Sequence, residues 1–117
     1  MTGYVLYHNP RCSKSRGALE LLQERGIEPE IVRYLDTPPD AAALRALVRR
    51  LGIAPRDLLR TGEDEYKALG LADPAVEDDA ILQAMAAHPR LIERPILVHG
   101  ERAMIGRPPE RVLELVD

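Results

Sequence analysis

Apolar residues at the two ends of the chain fall in short β-branched or aromatic stretches, whereas the middle repeats them at helical spacing. Residues 4–7 (Tyr-Val-Leu-Tyr) read as a strand, followed by the turn former His8-Asn9-Pro10-Arg11. From Ser13 the period becomes helical, with Ala18, Leu19 and Leu22 on one face, and Gly26 with Pro29 beyond it marks the stop. Glu30–Tyr34 (EIVRY) reads as a second strand, so the first segment is a βαβ unit, most simply parallel and right-handed. Thr37-Pro38-Pro39-Asp40 breaks the pattern. Helical stretches follow around 44–51, 55–59, 64–69 and 77–87, with no strand between them. Strand signals return at Pro95–His99 and Arg102–Ile105 around a Gly100-Glu101 turn, and a last helix is expected to carry Val112, Leu113 and Val116 inward. The expected fold is an α/β domain: a core of about 1–36 and 94–117 forming one helix-covered sheet, with a helical insertion of about 37–93 between its halves.

Composition narrows the function. The chain has 117 residues, 45 % hydrophobic and 30 % charged, enough for one domain with its own core and unlike a disordered segment. A net charge of −3 gives no general electrostatic reason to bind nucleic acid or an anionic membrane. Four tyrosines are too few for a base-stacking surface. No apolar run reaches the roughly 20 residues of a membrane span, and the first residues lack a secretory pattern, so a cytoplasmic monomer is expected. The histidines and carboxylates do not cluster, so no metal is expected.

The single cysteine, Cys12, excludes an internal disulfide or CxxC pair, so any redox chemistry must borrow its second thiol from another molecule. Cys12 falls where the first strand turns into the first helix. Unpaired N–H groups and the positive end of the helix dipole favour thiolate there. His8, Arg11, Lys14 and Arg16 add positive charge, although basic residues in a first turn oppose the dipole. Such a turn is easier to explain as an anion site than as a stabilising feature. Backbone N–H groups of Ser13, Lys14 and Ser15 are placed to cradle an oxyanion. A tyrosine-phosphatase-like loop would need Arg six residues after the cysteine, where this chain has Ala18.

Tyr7-His8-Asn9-Pro10-Arg11-Cys12-Ser13-Lys14-Ser15-Arg16 resembles the active-site loop of the glutaredoxin-coupled arsenate reductases. Similar segments continue in order: Tyr34–Pro39, Leu58–Arg60, Leu69–Ala72, His88-Pro89, Glu93–Ile96 and Ile105–Pro108. The resemblance implies a thioredoxin-like, glutaredoxin-like mixed sheet with an inserted helical subdomain. It implies Cys12 as nucleophile, His8 as a group that keeps it ionised, and Arg60, Arg94 and Arg107 as ligands of arsenate or its adduct. It also implies a cis peptide bond before Pro95. Glutathione would be the co-substrate and glutaredoxin the protein partner, with no bound cofactor. Where the best-known reductases have Gly-Thr after the cysteine, this chain has Ser13-Lys14, which implies a related branch and a substrate preference that can differ. Two other readings stay open: a glutathione-dependent thiol oxidoreductase on another substrate, and a non-catalytic RNA-polymerase-binding regulator. Against the second, Ser15 stands where redox-sensing regulators of this kind carry a second cysteine.

Overall fold

The computed structural model describes residues 3–116. The chain divides into two compact units, one running to Thr37 and resuming at Arg94, the other Pro38–Glu93.

The first unit contains β1 (Tyr4–Tyr7), α1 (Ser13–Glu24), β2 (Glu30–Val32), β3 (Ile96–His99) and β4 (Arg102–Ile105). Its sheet has the order β2-β1-β3-β4. β1 pairs with β2 in parallel, as a βαβ connection requires, and with β3 antiparallel. β3 and β4 form the hairpin. Registers place Tyr7 opposite both Val32 and Ile96, and Ile96 opposite Ile105. The C-terminal ends of β1, β2 and β4 and the N-terminal end of β3 therefore meet at one edge of the sheet. The loop carrying Cys12, the segment after Val32, Arg94-Pro95 and Gly106-Arg107 all leave from that edge.

The core of this unit is Tyr4, Leu6, Leu97, Ala18, Leu22, Ile27, Val112 and Leu115. Leu6, Leu22 and Leu97 are fully buried, and truncating any of them to Ala removes contacts worth about 2–5 kcal/mol. α1 stops through a glycine cap. Gly26 takes φ 76°, its N–H bonds the Gln23 carbonyl at 2.9 Å, and the Ile27 N–H returns to the Leu22 carbonyl at 2.9 Å. That paired pattern needs a left-handed residue, which glycine adopts without steric cost.

Two expectations in this unit are corrected. The second strand ends at Val32 instead of Tyr34. The Arg33 carbonyl turns away to accept the N–H groups of Asp36 and Thr37, each at 2.9 Å, and so leaves the ladder. The last helix, Pro109–Leu115, is 3₁₀ throughout and buries Val112 and Leu115, a spacing of three; Val116 packs half-buried against the core as expected, and Leu115 takes the inward place expected of Leu113.

The second unit contains α2 (Ala41–Leu51), a 3₁₀ turn at Pro55–Leu58, α3 (Asp64–Ala68), α4 (Asp78–Ala87) and a further 3₁₀ turn at Pro89–Leu91. Asp40 caps α2 by accepting the Ala43 N–H at 2.8 Å. Leu44, Leu47, Leu58, Ile81, Leu82, Met85 and Leu91 are buried. An isolated antiparallel bridge joins Leu59 to Ile92, which helical periodicity does not reveal. Arg56 ties the 71–76 segment down by donating to the carbonyls of Leu71 (2.6 Å), Asp73 (3.0 Å) and Val76 (3.2 Å). Among the described residues no helix is long and apolar enough to cross a membrane.

Gly106 has no room for a side chain. A Cβ there would lie 2.9 Å from both Pro95 Cγ and Val112 Cγ1. Pro95 is a rigid ring and Val112 is fully buried, so neither yields easily. Gly106→Ala is expected to cost about 1–3 kcal/mol by overpacking, read as a lower urea midpoint with an unchanged slope.

Candidate active site

Cys12 is the N-cap of α1, with extended backbone (φ −95°, ψ 124°). Its own N–H bonds the Asn9 carbonyl at 3.0 Å, and its carbonyl accepts the Arg16 N–H at 3.0 Å. The loop leading to it is closed by Asn9, whose Oδ1 accepts the Arg11 N–H at 3.0 Å. Beneath the loop lies Ser15, fully buried. Its Oγ accepts the Asn9 N–H at 3.0 Å and hydrogen-bonds His8 Nδ1 at 2.6 Å. The start of the loop is pinned to the sheet by the His8 N–H, which donates to the Val32 carbonyl at 2.9 Å.

The thiol of Cys12 is held below its ordinary value by a balance of opposed effects. Burial pushes it up. The Ser15 N–H, the Arg94 side chain, the Lys14 N–H and the Arg94 charge together outweigh that and bring it down. The two N–H groups act on the sulfur although Cys12 closes no side-chain cap of the usual geometry. The N–H groups of Ser15 and Lys14, expected to cradle an oxyanion, act here on the Cys12 sulfur, while Ser13 is exposed and contributes none of these interactions. Arg16 differs from the expected anion ligand. Its Nη1 donates to the Pro10 carbonyl at 2.9 Å, which braces the loop from outside.

His8 also differs from the expectation. Burial first, then the charges of Arg33 and Arg16, hold its imidazole below the ordinary histidine value. Its neutral form is favoured and it is bonded to Ser15, so it positions the loop and is poorly suited to supply a cation to the thiolate.

Arg94 precedes β3 through a cis peptide bond to Pro95, and Arg107-Pro108 is cis as well. The Pro95 carbonyl accepts the Gly106 N–H at 2.8 Å, and Arg107 Nη1 donates to the Arg94 carbonyl at 3.1 Å. Arg107 thus holds the backbone of the residue whose guanidinium reaches the sulfur. Arg94 Nε is buried with no hydrogen-bonding partner. A buried unpaired guanidinium donor is costly, and a bound oxyanion would satisfy it. Arg60 belongs to the other unit. There its Nη1 donates to Glu93 Oε1 at 3.1 Å, and its Nε lies 3.9 Å from Glu63 Oε2. Its charge is met by two carboxylates of its own unit, a pairing that Arg-and-proline motifs in the sequence do not announce.

Asn9 was missed as a loop-closing residue, although Asn-Pro is a recognised turn signal. The bracing role of the Pro10 carbonyl carries no sequence signal. Among the described residues no three of His, Cys, Asp and Glu are grouped to hold a metal ion.

A profile of the ArsC family matches residues 7–115. The chain is 57 % identical over 112 residues to the uncharacterized protein YfgD of Escherichia coli (strain K12), covering 95 % of this chain and 94 % of that one. It is 52 % identical over 108 residues to the arsenate reductase of Neisseria meningitidis serogroup B, covering 92 % of each. Among solved structures, the arsenate reductase from Vibrio cholerae superposes with a TM-score of 0.95 at 49 % identity over 97 % of each chain.

The pH dependence of Cys12 alkylation should be half-maximal below the ordinary thiol range, because the folded state holds the thiolate. Arg94→Ala removes a hydrogen bond and a charge and should move that midpoint upward, as read by iodoacetamide labelling. A midpoint unaffected by the substitution counts against Arg94 as the thiolate's partner. Ser15→Ala keeps the backbone N–H but leaves the Asn9 N–H and His8 Nδ1 unpaired in a buried site. It should cost about 1–3 kcal/mol of stability, measured by urea unfolding.

Proposed function

The chain belongs to the ArsC family and has its thioredoxin-like fold, and we propose that it is an arsenate reductase drawing its electrons from glutathione and glutaredoxin. One observation carries the reading: a solvent-reachable cysteine with a lowered pKa sits beside a buried arginine donor that has no partner in the protein. A tetrahedral oxyanion supplies what that donor lacks and presents an electrophilic centre to the sulfur.

In this scheme the Cys12 thiolate attacks arsenic(V), an As–S bond forms, and one arsenate oxygen leaves as water after protonation. Arg94 and the Lys14 and Ser15 N–H groups balance the negative charge that gathers as sulfur and oxyanion meet. The Arg60 and Arg107 roles follow from the family resemblance, both as further ligands of arsenate or its adduct, and Arg107 in addition holds the Arg94 carbonyl. A glutathione sulfur then replaces a second oxygen on arsenic. Glutaredoxin's thiolate attacks that glutathione sulfur, an S–S bond forms, and the As–S bonding pair stays on arsenic, which becomes arsenic(III). Water finally releases arsenite from Cys12. The two electrons come from two thiols that end as one mixed disulfide, as a chain with a single cysteine demands. No bound cofactor enters the scheme, and the protein acts as a monomer in the cytoplasm.

Ser13 puts a side chain, and Lys14 a cation, in the loop positions where the best-known reductases have glycine and threonine. That feature favours the second reading, a thiol oxidoreductase acting on other glutathione-containing electrophiles. An arsenate reduction assay with glutathione and glutaredoxin omitted in turn separates the two. Arsenite formation is expected only when both are present, and Cys12→Ser should reduce it to background. Full activity in the Cys12→Ser protein would reject the mechanism, and turnover of glutathione mixed disulfides with none of arsenate would assign the second reading.

A further inference from the structure

Backbone pairing inside the second unit brings Arg60 and Glu93 together. Leu59 and Ile92 form the isolated antiparallel bridge, and both are buried. On either side of it the Arg60 N–H donates to the Leu91 carbonyl at 2.8 Å and the Glu93 N–H to the Leu58 carbonyl at 2.9 Å. The two segments are thereby fixed against each other just where their charged side chains leave. Arg60 Nη1 donates to Glu93 Oε1 at 3.1 Å, between side chains that are 21 % and 26 % exposed. A charge-assisted bond largely shielded from water is firmer than a surface ion pair.

The hold has a single prong. A guanidinium carries five N–H donors, and among the described residues the Arg60 side chain makes this one hydrogen bond. Its Nε is buried without a hydrogen-bond partner. Glu63 is the carboxylate nearest to that nitrogen, and Arg90 draws it aside. Arg90 Nη2 takes Glu63 Oε1 at 3.2 Å, with Nη1 3.8 Å from Glu65 Oε2. Glu63 Oε2 stops 3.9 Å from Arg60 Nε, beyond hydrogen-bond range. A pair built for stability alone would use both prongs of the guanidinium fork. One carboxylate on one nitrogen instead sets the direction of the guanidinium and leaves donors for another anion.

We propose that Glu93 is a positioning residue for oxyanion handling: it fixes Arg60 by one nitrogen, so that the remaining donors of that guanidinium are presented to the oxyanion. Glu93 acts through Arg60. The role rests on the proposed reductase reading, in which Arg60 is an oxyanion ligand. The contrary role is a carboxylate that occupies Arg60 in place of the anion, and it predicts the opposite sign, since removing such a competitor tightens binding.

Two readouts on the full chain test it. One is KM and kcat for arsenate with glutathione and glutaredoxin present. The other is the arsenate concentration that half-protects Cys12 from iodoacetamide when both are absent. Glu93→Ala is expected to raise the KM and the half-protecting concentration about tenfold, the loss of one charge-assisted contact, with kcat changed by less than about twofold. Glu93→Gln keeps a carbonyl acceptor at the same reach and should stay within about threefold of the unmodified protein. Arg60→Ala should itself weaken arsenate binding, and adding either Glu93 variant to it should weaken binding no further, because the two residues act as one. A merely structural role of Glu93 would still add its effect in that background. Values that fall or stay unchanged in Glu93→Ala, or losses that add in the double variant, overturn the proposal. Where Glu93→Ala does not fold, Glu93→Gln carries the same comparison, with a weakening of about two- to threefold present beside Arg60 and absent without it. Protection by arsenate without arsenite formation overturns the proposed activity, and the protection readout then decides the role of Glu93 alone. Arsenate that gives the unmodified protein no protection overturns both.

Discussion

The site depends on one buried hydroxyl. Ser15 Oγ joins the end of β1, through His8, to the turn at Asn9, and it does so from the first turn of α1. Strand, loop and helix are thereby locked to each other at a single atom. The Asn9 carbonyl is then fixed where it receives the Cys12 N–H, and the cysteine is left with its sulfur facing the open end of the helix. A neutral imidazole suits this duty better than a charged one. A buried imidazolium near Arg33 and Arg16 would face like charges. The linkage has a definite sign: unfolded histidine takes up a proton near pH 6.5 and folded His8 resists it. The stability associated with His8 is therefore present above that pH and is lost as the pH falls through its lowered folded value.

The arginines sort themselves by what they touch. Arg60 and Arg90 meet carboxylates, Glu93 and Glu63 for the first, Glu63 and Glu65 for the second. Arg56 and Arg16 are spent on backbone carbonyls, where they hold loops. Arg60 and Arg94 each keep a buried Nε without a hydrogen-bond partner, and that of Arg94 belongs to a guanidinium beside an ionisable sulfur. Buried polar groups normally find partners, and exceptions gather where a ligand completes the set. In the proposed reaction that cost is borne in the folded state and recovered when the oxyanion arrives, which is the preorganisation that electrostatic catalysis needs.

Much of this was legible from the residues. The strand-to-helix position of Cys12, the β-α-β start and the closing hairpin follow from periodicity and turn chemistry, because each depends on near neighbours in sequence. The downward pull on the Cys12 pKa was legible for the same reason, since a helix N-terminus is a local property. His8 was misjudged because its charge state is decided by burial and by Arg33, which is remote in sequence and reaches it only once β2 lies beside β1. The helix from Pro109 was misjudged because 3₁₀ and α spacing differ by little over one turn, and packing of Val112 and Leu115 makes the choice. Arg60 could not be read at all beyond the resemblance. Its two carboxylates lie at different distances along the chain, and only one is at helical spacing.

Strand order connects the two halves of the chemistry. β1 is flanked by β2 and β3, and the register brings the ends of all three to the same edge. The loop after β1 must therefore have one neighbour arriving from β2 and another from β3. From the β3 side come Arg94 and, through the hairpin, Arg107, the groups suited to an oxyanion. From the β2 side comes Arg33, whose charge acts on His8 at the start of the loop. In the proposed reaction an oxyanion and then an external thiol must each reach the same sulfur. A central strand with a parallel partner on one side and an antiparallel partner on the other provides two distinct approaches to the residue that follows it. That order is a property of the backbone, so side-chain differences in the loop, at Ser13 or Lys14, leave both flanks of the cysteine in place.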